Sequence, residues 1–249
     1  MDKEEEMRSL QLSLERYDSD KIASGYLGRY DQILEPWLEK KIILLELGVH
    51  RAGSLLLWRD YFPMGTIVGI DISLPRDFKP TERIHVYQGS QADPIFLSRV
   101  ANEITPDGFD IIIDDASHIG ELTKISFWHL FDNHLKPGGL YVIEDWGTGY
   151  WDDWPDGRSL DLESYLQPYC RPPQFLLKIL IKLRLKITMQ CHNYGMVGFI
   201  KQLVDEQGAY DVTRKRYKGK STRKSKFESL SISPGLVFIR KADYQSQSE

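Results

Sequence analysis

Residues 109–150 read FDIIIDDASHIGELTKISFWHLFDNHLKPGGLYVIEDWGTGY, and this stretch decides the fold of the chain. Two short apolar runs, Phe109–Ile113 and Leu140–Ile143, flank a segment of helix length that closes in a Lys-Pro-Gly-Gly turn. Short apolar runs joined by a helix are typical of a parallel strand–helix–strand unit. The stretch therefore predicts an α/β protein, and it places two pairs of acids at the carboxyl ends of strands, where ligands bind in such sheets.

The chain before this stretch repeats the same alternation. The predicted elements, in order, are strand Lys41–Leu47, helix Ala52–Phe62, strand Thr66–Asp71, strand Arg83–Gln88 and helix Asp93–Asn102. Strands that alternate with helices predict a parallel sheet covered on both faces. After residue 145 the pattern is less regular, and it predicts a helix at Pro173–Leu183 and strands at Lys186–Cys191, Met196–Ile200 and Gly235–Arg240.

The length of 249 residues fits one large domain or one domain with an appendage. Residues 1–38 look helical and amphipathic and predict a lid or an oligomer contact, and residues 39–249 form the main domain. A hydrophobic content of 41% and a mean hydropathy of -0.38 suit a soluble protein with a sizeable core. No apolar run approaches the roughly 20 residues that span a bilayer. The acidic start MDKEEEMRSL lacks a secretory signal, and two cysteines make no disulfide framework, so we expect a cytoplasmic protein.

A basic run stands out in a chain whose net charge is -4. Residues 214–226, RKRYKGKSTRKSK, contain eight basic residues and no acid. A run of this kind can bind phosphates, and a solvated loop is the simpler interpretation.

The ends of the first three predicted strands carry residues suited to an adenosine-bearing cofactor. Gly48 and Gly53 lie at the turn from the first strand into a helix, where glycine lets the backbone approach a ligand closely. The turn is not the GxGxxG fingerprint, and an ordinary tight turn would also use glycine. Asp71 ends the second strand and is placed to accept hydrogen bonds from ribose hydroxyls. Ser90 and Gln91 follow the third strand and suit the edge of an adenine.

The acid pairs of the opening stretch are the strongest chemical signal. Asp114-Asp115 and Glu144-Asp145 end neighbouring strands, and His118 follows the first pair. Acids that converge at one edge of a sheet repel each other unless a cation lies between them, so the pattern predicts a metal site with a histidine beside it. Two alternatives stay open at this point. The acids could be helix caps and solvated loop residues, and the sequence does not say which aspartate of the first pair faces the metal.

The loop after the second acid pair is aromatic and rich in glycine. Residues 146–157 read WGTGYWDDWPDG, and Thr148, Tyr150 and Trp151 come directly after the two acids. These side chains are predicted to form the wall of a substrate site, where aromatic faces pack on a sugar ring. The alternative is that they cover the edge of the sheet.

These motifs resemble a known family. The segments ELGVHRAGSLLLWRDYFPMGTIVGIDIS and LKPGGLYVIED are similar to motifs of class I S-adenosylmethionine-dependent methyltransferases. More narrowly, DDASH, VIEDWGTGYW, GSQAD and the upstream Asp20-Lys21 resemble the metal-dependent sugar O-methyltransferases of macrolide biosynthesis (mycinamicin type) and the related cephalosporin-hydroxylase-like group. The resemblance covers roughly residues 20–201. Ala52 departs from it at a position that is often glycine, a histidine often found before the tyrosine near Tyr26 is absent, and the basic run has no counterpart.

The resemblance implies a fold, a reaction and a set of site residues. The fold would be Rossmann-like, with a mostly parallel seven-stranded sheet, helices on both faces and an antiparallel C-terminal hairpin. The reaction would be Mg2+-assisted transfer of a methyl group from S-adenosylmethionine to a hydroxyl of a sugar or glycosylated small molecule, in natural-product or glycan biosynthesis. His118 would be the general base, Asp115, Glu144 and Asp145 the metal ligands, and the cofactor contacts would be Glu46, Gly48, Ser54, Asp71, Ser90, Gln91 and Asp114.

Two other functions compete with this interpretation. The basic run favours an RNA-binding methyltransferase that uses residues 214–226 as a phosphate track, although no RNA-binding module is recognisable. A cofactor-binding subunit without catalysis is the third possibility, and the complete set of acids with His118 argues against it. A homo-oligomer is expected from the resemblance alone.

Overall fold

The structure, a computed structural model, describes residues 7–79, 81–151, 153–158, 193–214, 221 and 223–244. Seven strands form one sheet in the order β3-β2-β1-β4-β5-β7-β6. The strands are β1 Ile43–Leu47, β2 Thr66–Asp71, β3 Ile84–Gln88, β4 Phe109–Asp114, β5 Leu135–Glu144, β6 Phe227–Ser233 and β7 Leu236–Lys241. The first five pair in parallel, and β7 pairs antiparallel with both β5 and β6. This arrangement confirms the predicted mostly parallel sheet with an antiparallel C-terminal hairpin.

Helices cover both faces of the sheet, as predicted. The helices are α1 Asp20–Ala23, α2 Leu27–Leu34, α3 Gly53–Tyr61, α4 Pro94–Ile104, α5 Gly120–Asn133, α6 Pro155–Arg158, α7 Gly195–Gln207 and α8 Ala209–Val212. Because side chains alternate along a strand, Ile111 and Ile113 of β4 pack on the face of α2 and α3, whereas Ile112 packs on the face of α4, α5 and α7. The two cores are therefore divided residue by residue along the central strands.

One predicted element was wrong. Residues Met196–Ile200 are not a strand but the first part of helix α7. Met196, Phe199, Ile200 and Leu203 recur at helical spacing, and all four are buried in the core that α7 shares with α5. A window of five apolar residues does not distinguish a strand from a helix. The strand that pairs with β7 is instead β6, which begins directly after the basic run. The predicted helix at Pro173–Leu183 and strand at Lys186–Cys191 lie outside the described residues.

The described part of the N-terminal segment packs against the main domain. The Arg8 guanidinium donates to the carbonyl oxygens of Asp60 at 2.6 Å and Tyr61 at 3.0 Å. Buried Asp31 of α2 accepts hydrogen bonds from the Ser9 backbone at 3.0 Å and from the Tyr61 hydroxyl at 2.7 Å. Residues 7–38 thus share the core of α3, and their role as a lid or an oligomer contact stays a prediction. None of the helices within the described ranges is both long and apolar enough to cross a membrane.

A histidine pair at the C-terminal end of α5, His129 in the helix and His134 directly after it, gives the fold a pH dependence that can be measured. Ser98 Oγ of α4 lies 2.8 Å from Nε2 of both His129 and His134. Burial lowers the pKa of both imidazoles, and for His134 the neighbouring His129 and Lys241 lower it further. The unfolded chain, with ordinary histidine pKa values near 6.5, therefore binds protons that the folded chain does not, so the free energy of unfolding falls as the pH drops through that value.

We expect the urea midpoint to fall between about pH 8 and about pH 5.5 by more in the parent chain than in a His129→Gln/His134→Gln variant. Glutamine keeps hydrogen-bonding capacity without titrating, so the difference between the two curves isolates the pair. Parallel curves for parent and variant would show that the pair does not contribute.

Candidate active site

Three acids at the carboxyl ends of three neighbouring strands, two of them buried and one half-buried, meet around one lysine. Lys21 of helix α1 has no exposed side-chain surface, and its Nζ lies 3.1 Å from Glu46 Oε1, 2.5 Å from Asp115 Oδ2 and 3.2 Å from Glu144 Oε1. Glu46 is the second-last residue of β1, Asp115 follows β4 and Glu144 ends β5, so the carboxyl edge of the sheet brings them together. The three acids of this cluster were predicted as site residues, whereas Lys21 was not.

Burial and charge act in opposite directions in this cluster. Burial alone would lower the pKa of Lys21, but Asp115, Glu144 and Glu46 raise it well above its ordinary value, so the ammonium stays charged. Burial raises the pKa of Glu46 and Asp115, and burial together with the charge of Asp115 raises that of Glu144 well above the usual range. The cluster holds one ammonium and three acidic side chains, so further positive charge beside it would favour the ionised forms of the acids.

Glu46 and Glu144 are also held by uncharged hydrogen-bond donors. Glu46 accepts hydrogen bonds from Ser54 Oγ at 2.7 Å and from the indole nitrogen of Trp58 at 3.2 Å. Glu144 accepts one from the Tyr30 hydroxyl at 2.5 Å. Glu46, predicted to contact the cofactor, and Glu144, predicted to bind the metal, are thus buried and already hydrogen-bonded.

A second set of donors faces outward from the same strand ends. His118 Nε2 lies 3.7 Å from Asp115 Oδ1 and 4.0 Å from Asp145 Oδ2. Donor atoms of Asp115, His118 and Asp145 all lie within 4.8 Å of one another, and the three residues are half-buried. The other carboxylate oxygen of Asp145 accepts a hydrogen bond from the Tyr26 hydroxyl. Asp115 therefore belongs to both sets, because one of its oxygens faces Lys21 and the other faces His118.

Backbone strain is concentrated at this site. Within the described ranges, the non-glycine residues with positive φ are His50 at 46°, Ala52 at 64°, His118 at 51° and Asp145 at 52°. The Asp145 amide donates to the Gly235 carbonyl at 2.7 Å, and Thr148 Oγ1 donates to the His118 carbonyl at 3.1 Å. These hydrogen bonds hold Asp145 and His118 in their positive-φ conformations. Such conformations cost energy and persist where the surroundings enforce them, which is common at functional sites.

The cluster of Asp115, His118 and Asp145 fits a divalent metal. Two carboxylate oxygens and one imidazole nitrogen converge, and carboxylate oxygens are the ligands that Mg2+ prefers. His118 Nδ1 is buried and has no hydrogen-bond partner among the described residues, whereas Nε2 faces Asp115 and Asp145. Asp115 and Asp145 are thus placed to hold a metal beside His118. The predicted ligand set of Asp115, Glu144 and Asp145 stays a prediction, with Glu144 bonded to Lys21 and Tyr30.

Two adjoining cavities lie beside the acids. The larger, about 880 Å³, is lined by Gly48, Ser54, Asp71, Asp115, His118 and Trp154, together with residues 18–20 of the N-terminal segment. The smaller, about 180 Å³, is lined by Ser90, Gln91 and Ser117, and it shares Gly48, Asp71 and Ala116 with the larger. The volumes suit a small-molecule site. The predicted cofactor residues Gly48, Ser54, Asp71, Ser90 and Gln91 all line one of these two cavities.

Gly48 allows the ends of β1 and β4 to touch. Its φ is 94°, and a Cβ added there would lie 2.0 Å from the Asp115 carbonyl oxygen. The backbones at Gly48 and Asp115 approach so closely that only glycine can occupy position 48.

Asp71 organises the glycine turn as well as facing the cavity. One of its carboxylate oxygens accepts hydrogen bonds from the backbone amides of Val49 at 2.7 Å and His50 at 3.1 Å, and the other accepts one from Ser73 at 2.9 Å. The acid therefore holds the loops on both sides of the cavity. Its predicted contact with ribose hydroxyls stays a prediction.

The structure separates the two aspartates that the sequence left ambiguous. Asp114 faces α5, where it is 2% exposed and bonded to Ser126 at 2.7 Å and to Gln91 Nε2 at 3.2 Å. Burial raises the pKa of Asp114 to about 6. Asp115 follows on the opposite side and faces Lys21 and His118. Asp114 is absent from the lining of both cavities described above, so its predicted cofactor contact has no geometric support there.

Some residues of the aromatic loop support the site from beneath, and others are exposed to solvent. Thr148 is buried and bonds the His118 carbonyl, whereas Tyr150 and Trp151 are 45% and 51% exposed. Trp154, which the sequence analysis did not single out, donates from its indole nitrogen to the Ser117 carbonyl at 3.3 Å and lies 5.7 Å from the His118 ring. A role of Thr148, Tyr150 and Trp151 in binding substrate stays a prediction.

The residues that sequence reasoning missed come from far along the chain. Lys21 is 94 residues from Asp115, Tyr26 is 119 from Asp145 and Tyr30 is 114 from Glu144. Spacing carries no signal over such separations. The match of Asp20-Lys21 to the family was the one sign that this segment belongs to the site.

Comparisons with known proteins agree with the motifs. The sequence matches no protein-family model. It is 38% identical over 235 residues, 91% of this chain and 53% of the relative, to the 8-demethyl-8-alpha-L-rhamnosyl tetracenomycin-C 2'-O-methyltransferase of Streptomyces olivaceus. It is 42% identical over 129 residues, 49% of this chain and 31% of the relative, to the mycinamicin VI 2''-O-methyltransferase of Micromonospora griseorubida. The chain thus spans about a third to a half of the length of these relatives.

A solved structure shows the same architecture. The MycE methyltransferase of the mycinamycin pathway, determined in complex with Mg and SAH, superimposes with a TM-score of 0.63 at 28% identity. The match covers 87% of this chain and 49% of that one. The chain is therefore homologous to the sugar O-methyltransferases of macrolide and tetracenomycin biosynthesis and has their class I methyltransferase fold.

Proposed function

We propose that this protein is an S-adenosylmethionine-dependent, Mg2+-assisted O-methyltransferase that acts on a hydroxyl of a sugar or glycosylated small molecule. The observation that carries the proposal is the cluster of Asp115, His118 and Asp145, of which Asp115 and His118 line a cavity that adjoins the pocket of Ser90 and Gln91. The relatives support it, because they include an O-methyltransferase of a rhamnosyl tetracenomycin and one of an olivosyl oleandolide. The MycE structures, which contain Mg and SAH, support the choice of both cofactors.

The residues of this chain have distinct parts in such a reaction. Gly48 and Asp71 shape the turn against which the cofactor would lie, and the smaller cavity would take its adenine. A bound Mg2+ would favour the deprotonated form of an acceptor hydroxyl and help to orient it. His118 Nε2 faces the larger cavity and is placed to accept the hydroxyl proton. Trp154 packs beside the imidazole and lines the same cavity.

The described ends of the basic run do not favour the competing RNA function. Arg223 pairs with Glu206 at 2.5 Å, and Lys226 pairs with Asp132 at 2.7 Å. These two cations are therefore engaged with acids of the same chain, while residues 215–220 and 222 lie outside the described ranges. The expected cytoplasmic location and a homo-oligomer remain proposals.

The direct test is transfer of label from methyl-labelled S-adenosylmethionine to a panel of plant and bacterial glycosides. We expect a labelled glycoside in the presence of Mg2+, loss of the label with EDTA and its return when Mg2+ is restored. Cofactor binding without any labelled glycoside, or transfer that ignores EDTA, would contradict the proposal or its metal, respectively.

A further inference from the structure

Asp156 is a buried acid at the end of the aromatic loop, and the reaction described above does not use it. It lies in the short helix α6 and is 5% exposed. Its Oδ2 accepts hydrogen bonds from the backbone amides of Gly120 at 2.9 Å and Met196 at 2.6 Å. These amides belong to the first turns of α5 and α7. A single carboxylate therefore caps two helices where their N-termini meet.

Two glycines bring these N-termini close enough to share one cap. A Cβ on Gly120 would lie 2.2 Å from the Gly195 carbonyl carbon, and a Cβ on Gly195 would lie 2.4 Å from the Asp156 carboxylate. The two helices thus approach each other through their backbones, with the acid of a third segment packed against both. The start of α5 is fixed by this junction.

The aromatic loop also holds the backbone around His118, directly before the start of α5. Trp154 donates from its indole nitrogen to the Ser117 carbonyl at 3.3 Å, and Thr148 Oγ1 donates to the His118 carbonyl at 3.1 Å. Asp156 adds the third contact, to the amide of the residue two positions after His118. Three side chains of one loop therefore bond three backbone groups within residues 117–120.

The remaining printed anchors of this stretch lie on its other side. The Ser117 amide donates to Gln91 Oε1 at 3.0 Å, and the Ile119 amide donates to Ser117 Oγ at 3.2 Å. Ile119 occupies the cap position of α5, and its apolar side chain has no hydrogen-bond acceptor. Asp156 therefore supplies from another segment the cap that Ile119 lacks.

We propose that Asp156 is a positioning residue for methyl transfer, which holds the start of α5 and thereby sets the place of His118 Nε2. The physical reason is the φ of 51° at His118, a conformation that persists where the surroundings enforce it. Without Asp156 the loop can relax, and a displacement of about 1 Å at a reacting group can cost roughly 100-fold in rate. The inference rests on the proposed function, in which His118 takes the proton of the acceptor.

The test compares three variants of the full chain. Asp156→Ala removes both hydrogen bonds, whereas Asp156→Asn keeps an oxygen that can accept them and loses only the charge. Aspartate and asparagine are about equally good helix caps. Glu206→Ala is the matched control, because Glu206 is also buried, lies at the opposite end of α7 and accepts a hydrogen bond from the Lys226 amide at 2.9 Å.

The kinetic measurement separates kcat from binding. The rates are taken with a glycoside that accepts the label in the assay above, and the affinity for S-adenosylmethionine is measured by isothermal titration. We expect Asp156→Ala to lower kcat by about 10- to 100-fold, with the KM for the glycoside and the cofactor affinity close to those of the parent. Asp156→Asn should keep most of kcat. Glu206→Ala should lower the urea midpoint and leave kcat unchanged.

Hydrogen–deuterium exchange in residues 116–121 adds a measurement that needs no acceptor. Exchange there should be faster in Asp156→Ala than in the parent or in Glu206→Ala, because the Gly120 amide loses its acceptor. Asp156→Ser is the variant to use where Asp156→Ala fails to fold. The serine oxygen lies one bond closer to the backbone and does not match both contacts of Oδ2, so kcat should fall below that of Asp156→Asn.

The outcomes are separable. A fall in kcat for Asp156→Ala or Asp156→Ser that Asp156→Asn and Glu206→Ala do not share supports the inference. Faster exchange with an unchanged kcat, or an equal fall in kcat for Glu206→Ala, assigns Asp156 a purely structural role and overturns the inference alone. An equal fall for Asp156→Asn shows that its charge acts instead of its hydrogen bonds, which also overturns it. A parent chain that methylates no glycoside overturns the proposed function and the inference together.

Discussion

Replacing His118 by asparagine is expected to lower kcat for methyl transfer by about 10²- to 10⁴-fold, the usual contribution of a general base. Asparagine is chosen because His118 has a φ of 51°, a conformation that asparagine tolerates better than alanine. The Thr148 hydroxyl bond to the backbone at this position can then persist. The substitution therefore removes the imidazole nitrogen that faces the cavity and leaves the loop in place.

The measurement is the initial rate of methyl transfer together with the affinity for S-adenosylmethionine. We expect the rate to fall while the cofactor affinity and the unfolding midpoint stay close to those of the parent, because His118 faces the acceptor side. His85→Asn, on the exposed side of strand β3, is the matched control and should leave the rate unchanged. A fall in rate that follows a loss of stability would assign His118 a structural role instead.

Replacing Gly48 by alanine is expected to destabilise the fold by roughly 2 to 5 kcal/mol and to abolish cofactor binding. Two separate penalties act at this position. The left-handed backbone conformation, with a φ of 94°, disfavours any side chain, and a Cβ would lie 2.0 Å from the Asp115 carbonyl oxygen. The ends of β1 and β4 would have to separate, and with them the two cavities that share Gly48.

Urea unfolding and titration of S-adenosylmethionine measure these two effects. Gly138→Ala is the matched control, since Gly138 also has a positive φ, 71°, but a Cβ there meets nothing within 4 Å. The control should therefore show the conformational penalty alone, about 1 kcal/mol, and unchanged cofactor binding. Equal losses in the two variants would mean that contact with Asp115 does not contribute.

The sheet was largely predictable because its signals are local. Each of the five parallel strands is a short apolar run bounded by turn residues, and the alternation with helices restricts the connections to a parallel sheet. The segment Met196–Ile200 shows the limit of this reasoning. Its apolar residues satisfy a strand window, and only the continuation to Leu203 on a face packed against α5 shows the helical period.

The candidate site was predictable only in part. The acids at strand ends, the glycine turn and Asp71 follow from where strands stop, and the structure brings them to one edge. The choice between Asp114 and Asp115 needed the register of β4, because side chains of successive residues point to opposite faces. The sequence therefore pointed to this pair of aspartates, and only the structure shows that Asp114 faces α5 while Asp115 faces Lys21 and His118.

By itself the sequence determined the α/β class, the helices on both faces and the four acids with His118 at the carboxyl edge, because strand periodicity and turn residues act over short distances. Only the tertiary structure decided that Lys21, Tyr26 and Tyr30 bond these acids, and that Glu144 contacts Lys21 whereas Asp145 lies beside His118. A charged lysine is stable in the interior only where three strand ends converge around it, and that convergence is a property of the assembled sheet.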